Sequence, residues 1–196
     1  MLETILFLKP WRCFKEDEGI DFRPGVNLIV GDQGTGKSSL FQAIQVKGMK
    51  KPRSWNLPMK DSIPAAIVAK GIPIFAFDFE SDNYRTKSWF DDDIGFHVTS
   101  MHKSHGQMVM AMIDAWLRVD KPFLVLVDEP DMALSIRSCH KLVRAFQHVA
   151  DVGGQVIATA HNPVIIAGFP EVYSLEHRRW MPSGEFIESQ GSNGGV

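Results

Sequence analysis

The sequence predicts an α/β domain built on a mostly parallel sheet flanked by helices, and three observations carry that prediction. Short apolar runs alternate along the chain with segments of helical periodicity, the pattern of strands joined by helical crossovers. Phe123 to Val127 is apolar without interruption, as a strand covered on both faces is. Val26 to Val30 runs straight into a glycine-rich loop.

In chain order, Thr4 to Leu8 and Val26 to Val30 read as strands, and a helix is expected from Lys37 to Lys47. Lys47 to Lys60 mixes Lys, Pro, Gly and Trp without a period and reads as an irregular surface segment. A strand is expected over Ile72 to Phe79, followed by a polar insertion over 81–104 of loops and a turn of helix. Val109, Met112, Ile113, Trp116 and Leu117 recur at helical spacing, so a helix starts between Ser104 and Gln107. Ser135 to Ala150 is a further helix, with Ile136, Cys139, Val143, Phe146 and Ala150 on one stripe and Ser135 as its cap. Gln155 to Thr159 and Val172 to Leu175 read as strands, and the Gly/Ser-rich end, 191–196, as a flexible tail after a single domain over 1–190.

Composition sets broad limits. The 196 residues suffice for one domain that buries roughly two-thirds of its unfolded surface without a disulfide or metal staple. The net charge of −2 offers no global attraction to nucleic acid. Cys13 and Cys139 form no Cys-x-x-Cys pair and read as reduced thiols, which favours the cytoplasm. The N-terminus is too short and interrupted before Lys9-Pro10 for a signal peptide or spanning helix, so no direct membrane insertion is expected.

Gly31-Asp32-Gln33-Gly34-Thr35-Gly36-Lys37-Ser38 matches G-x-x-x-x-G-K-[ST] between a predicted strand and a predicted helix. Glycines let backbone N–H groups turn inward as an anion nest, and the helix directs its positive end at the same point. Lys37, expected to face solvent, reaches the β- and γ-phosphates; the Ser38 hydroxyl ligates Mg²⁺, and Ser39 belongs to the same set. The run from Phe123 ends in Asp128-Glu129-Pro130, where ligands of open α/β sheets gather. Side chains alternate along a strand, so the two acids take different roles. Asp128 is assigned to Mg²⁺ as an outer-sphere partner, and Glu129 to the base that orients an attacking water.

Three further segments narrow the reading: Ser104-His105-Gly106-Gln107 at a helix start, Asp128 to Ser135, and Ala158-Thr159-Ala160-His161-Asn162-Pro163. In that order, and over nearly the whole chain, they resemble the ABC-type ATPases, particularly the SMC/RecF-like branch and its small single-domain ATPases. Trp11-Arg12-Cys13-Phe14 is similar to that branch's N-terminal strand region, which implies an antiparallel β portion there. The resemblance implies ATP and Mg²⁺ as ligands. It also implies that Ser104 and Gly106 meet the γ-phosphate held by a second copy, with Gln107 in the same nucleotide-binding set, and that His161 contacts the γ-phosphate and holds the water with Glu129. The implied assembly is an ATP-dependent homodimer that moves an unknown protein partner or acts on nucleic acid.

The sequence departs from the pattern at several points. His105 and Lys103 replace the glycine and small apolar lead of a transporter-type signature, Gln33 replaces asparagine, and Asp131 stands where the branch more often has Glu. No glutamine ends the Mg²⁺-sensing strand; Phe77-Asp78-Phe79-Glu80 ends in acids, and Glu80 is taken as the substitute. A transporter's nucleotide-binding subunit, a small-molecule P-loop kinase and a scaffold that uses ATP only to dimerise remain as alternatives. Lys47, Lys50, Lys51, Arg53 and Lys60 with Trp55 form a basic segment able to meet nucleic-acid phosphates, though a solvated loop is the preferred reading. Asp91-Asp92-Asp93 reads as a solvated loop, and His97, His102 and His105 lack cysteine partners at zinc spacing.

Overall fold

The computed structural model describes residues 1–49, 57–70, 74–78, 105–131 and 134–192. The expected insertion over 81–104, Glu80, Ser104, Asp91-Asp92-Asp93, His97 and His102 lie outside those residues, as do Lys50, Lys51, Arg53 and Trp55.

The central sheet has six strands: β3 (Gly25–Val30), β5 (Ile74–Asp78), β6 (Leu124–Asp128), β7 (Gln155–Thr159), β8 (Glu171–Ser174) and β9 (Arg179–Pro182), in the order β5-β6-β7-β3-β8-β9. β5 to β8 run parallel, and only the edge strand β9 pairs antiparallel, Tyr173 opposite Trp180. A second sheet, β2-β1-β4, is antiparallel throughout and consists of β1 (Leu2–Phe7), β2 (Glu18–Asp21) and β4 (Ala65–Ala69). Gln155 joins the two sheets: its amide accepts the Leu2 N–H at 2.8 Å and donates to the Leu2 carbonyl at 2.9 Å.

Alternation along the central strands divides the core. Leu28, Val30, Val125, Val127, Val156 and Ala158 face one hydrophobic cluster, whereas Ile29, Leu124, Leu126 and Ile157 face the other. The first is covered by α2 (His105–Trp116), α3 (Ile136–Asp151), the single turn α4 (Pro163–Ile166) and α5 (Ser183–Ser192), through Ile113, Phe146, Ile165 and Phe186. The second is covered by α1 (Lys37–Gly48) and the small sheet, through Leu40, Phe41 and Ile44 with Ile5, Phe7 and Ile20. Each fully buried side chain of this size contributes roughly 1.5–3 kcal/mol.

Ser135 caps α3 as expected, accepting the Ser138 N–H at 3.2 Å. The helix stops because Gly153 adopts a left-handed conformation at φ 80°. The N–H groups of Gly153 and Gly154 then bond back to the Ala150 and Val149 carbonyls. Two expectations need correction. Ile136, the first residue of α3, does not join the buried stripe and is 67% exposed. The expected flexible tail begins too early: α5 extends through Gly191 and Ser192, with Phe186 anchoring it in the core, and only 193–196 lie outside the described residues.

Candidate functional site

The loop between β3 and α1 is shaped by glycine. Gly36 has φ 106° immediately before α1, and a Cβ there would lie 2.1 Å from the Cys13 Sγ, so both backbone and space exclude a side chain. The hydroxyl of Thr35 donates to the Asp32 carbonyl at 2.8 Å, and the Asp32 N–H donates to Glu176 Oε1 at 2.7 Å. Glu176 also accepts from Gln190 of α5 at 3.2 Å, which links the last helix to the loop. Ser39, in the first turn of α1, receives the Arg12 guanidinium at 3.0 Å, with Gln42 a second acceptor at 2.8 Å.

Lys37 does not face solvent. It is 6% exposed, and its ammonium folds back on its own loop, donating to the Gly31 carbonyl at 2.7 Å and the Asp32 carbonyl at 3.0 Å. Burial lowers its pKa from 10.5, against the opposing pull of Glu129, Asp128, Asp32 and Glu176. The charges of the loop and of the acidic strand end, far apart in sequence, therefore act on the same lysine.

β6 ends at Asp128, and Glu129 turns off the sheet in a left-handed conformation at φ 47°, unusual for a residue with a side chain. Thr159, the fully buried last residue of β7, stabilises this turn. Its hydroxyl accepts the Glu129 N–H at 2.7 Å and donates to Asp128 Oδ1 at 2.7 Å. Two residues on, His161 Nε2 lies 3.1 Å from Glu129 Oε1. The pair is partly exposed, at 43% for the His161 side chain and 31% for Glu129, so both reach solvent at the loop's mouth. Asp131 is buried, and one of its oxygens accepts both the His161 N–H at 2.7 Å and the Asn162 N–H at 2.6 Å.

A cavity of about 220 Å³ lies beside this arrangement, lined by Gly31, Asp32, His161, Pro163, Phe186 and Gln190 among others. No residue of α2 lines it among the described residues. α2 begins at His105, so the Ser104-His105-Gly106-Gln107 segment stands at a helix start, with Gln107 exposed and Ser104 outside the described residues. Of the residues assigned to Mg²⁺ from the sequence, Ser38 and Asp128 lie within the described residues and carry oxygen donors, the kind a hard ion takes. The backbone of β5 ends level with that of β6, Asp78 opposite Asp128, while Glu80 lies beyond the described residues.

Of the residues singled out from the sequence, Glu129 and His161 touch, and the charges of Glu129 and Asp128 act on Lys37. Sequence reasoning missed the parts played by Thr159, Asp131 and Glu176, which are visible only once β6 and β7 lie side by side and β8 is paired with β3. The signal for Thr159 was a hydroxyl two residues before the histidine, which has no special meaning until its strand is paired with β6.

A family model described as an AAA domain matches residues 6–65. No curated protein matches the sequence. Solved structures of similar fold include a nucleotide-free ATP-binding cassette from an ABC transporter, with TM-score 0.59, 15% identity and coverage of 98% of this chain and 96% of that one. The ADP conformation of another ABC-transporter cassette gives TM-score 0.54 at 16% identity, covering 93% and 87%. The SMC head domain from Thermotoga maritima gives 0.52 at 15% identity, covering 88% and 94%.

Proposed function

We propose, on the ABC-type P-loop ATPase fold that this chain has, that it binds ATP in the loop from Gly31 to Ser39 and hydrolyses it to ADP and phosphate. The observation that carries the reading is the Glu129–His161 pair at 3.1 Å, held at the mouth of a glycine loop whose lysine senses both Glu129 and Asp128. In this mechanism Lys37 exchanges the Gly31 and Asp32 carbonyls for the β- and γ-phosphates, which offer its ammonium full counter-charges in place of dipoles. Backbone N–H groups of the loop and the N-terminus of α1 receive the remaining phosphate oxygens. Ser38 and Asp128 would hold Mg²⁺, which neutralises charge on the phosphates when bound.

Glu129 orients a water for attack on the γ-phosphorus and accepts its proton, while His161 contacts the γ-phosphate and fixes the carboxylate. Asp128 ends β6 and Glu129 leaves it in a left-handed conformation, and the two acids take different roles in this mechanism. The site is completed by a second copy, whose Ser104, Gly106 and Gln107 meet the γ-phosphate from the opposite side. Closure on ATP and opening after hydrolysis then move a partner.

A transporter's nucleotide-binding subunit is the second reading, favoured by the transporter cassettes among the similar structures. No described helix is long and apolar enough to cross a membrane. Glu129→Gln tests the first reading. It is expected to keep ATP affinity, slow hydrolysis at least about a hundredfold and accumulate as an ATP-bound dimer. Turnover at the wild-type rate removes Glu129 from the mechanism. Stable copurification of a membrane permease with the variant supports the transporter role instead.

A further inference from the structure

Asp131 is the buried ionisable group whose place the proposed mechanism leaves unexplained. It is 8% exposed, next to the fully buried Cys139, whose thiol is pushed up by burial and by the Asp131 charge. Oδ2 accepts two backbone N–H groups, those of His161 and Asn162, at 2.7 and 2.6 Å. Oδ1 is buried with no hydrogen-bond partner among the described residues. A buried carboxylate with half its acceptors unused is costly to keep unless its position serves something.

Capping of α4 does not account for it. That turn already has its cap, because Asn162 Oδ1 accepts the Val164 N–H at 2.9 Å, and Pro163 has no N–H to satisfy. The two bonds of Asp131 fall one step earlier, on the peptide groups that set where the His161 side chain leaves the backbone.

The bonds between the two strand ends are reciprocal. Thr159 of β7 holds the backbone of Glu129 after β6, and Asp131 after β6 holds the backbone of His161 after β7. The Glu129–His161 contact closes the ring. We infer that Asp131 is a positioning residue, which acts through its two backbone bonds to keep the His161 imidazole against the Glu129 carboxylate. The inference rests on the ATPase reading for its kinetic consequence, but its geometric consequence does not.

The test uses the full chain with Asp131→Ala and Asp131→Asn. The amide of Asn keeps an oxygen in the accepting position, whereas Ala keeps none. Turnover, ATP affinity and the His161 imidazole resonance are measured in each variant, with and without Glu129→Gln. In wild type, Glu129→Gln is expected to move the His161 signal, since the groups touch. Asp131→Ala should abolish that response and lower kcat at least about tenfold, with ATP affinity changed by less than about twofold. Asp131→Asn should restore both.

If Asp131→Ala does not fold, Asp131→Ser takes its place, with an intermediate loss expected. A folded Asp131→Ala or Asp131→Ser variant with wild-type kcat and an intact His161 response overturns the inference. Equal losses in Asp131→Asn and Asp131→Ala also overturn it, since a bare requirement for negative charge would then explain the result. A His161 response that depends on Asp131 in a protein without Glu129-dependent hydrolysis supports the positioning and overturns the ATPase reading.

Discussion

Lys37 shows how a residue read correctly for chemistry can sit in an unexpected environment. Its ammonium is bonded to the Gly31 and Asp32 carbonyls and buried, so the group that serves phosphate is also part of the loop's own structure. Its folded pKa lies below the 10.5 of an exposed lysine, with desolvation the main cause. Between the folded and unfolded values the unfolded chain holds more protons, and stability therefore rises with pH across that window. Lys37 thus costs stability at neutral pH, and the cost is relieved as pH rises through the lowered value. Melting of wild type and Lys37→Met compared from about pH 7 to pH 10 should show wild type gaining on the variant as pH increases. A constant difference would mean that the carboxylates around the lysine cancel the desolvation. Lys37→Met is also expected to lose ATP binding while folded.

At the level of elements, α5 is the least expected part of the site. Its Phe186 is 5% exposed in the cluster with Phe146, Phe169 and Met181, while Gln190 at its far end bonds to Glu176. One helix therefore packs into the core and braces the carboxylate that holds the Asp32 N–H. Phe186→Ala should cost roughly 3–5 kcal/mol by removing a buried ring and leaving a cavity. Denaturant unfolding measures it, and a loss below about 1 kcal/mol would show that α5 is not docked as described. The sheet edges were equally hard to foresee. β2 and β9 are four residues each, and what makes them strands is pairing with β1 and β8.

At the scale of the whole molecule, the proposed site takes residues from two copies. The Glu129–His161 pair is partly exposed, as the proposed completion of the site by a second copy requires. Ser104→Arg should then leave ATP binding by the monomer intact while blocking ATP-driven dimerisation and turnover. Light scattering with ATP, together with nucleotide titration, separates the outcomes. Loss of binding in the isolated variant would place Ser104 in its own protomer's site.

What the sequence by itself determined was local. The glycine loop, the apolar strands that precede Gly31 and Glu129, and the N-terminal cap of α3 follow from periodicity, backbone freedom and hydrogen-bonding capacity within a few residues. The alternation of strands with helices was enough to anticipate the parallel sheet, and the resemblance at Trp11 to Phe14 the antiparallel N-terminal portion. Tertiary structure alone decided the rest, because burial and pairing depend on residues far apart in the chain. Lys37 is buried because its loop curves over it, and Glu129 can adopt φ 47° because Thr159, thirty residues away, accepts its N–H. Asp131 accepts two N–H groups from the end of a neighbouring strand. No reading of Asp131 in its own segment reveals those donors, since they arrive only when β6 and β7 lie side by side.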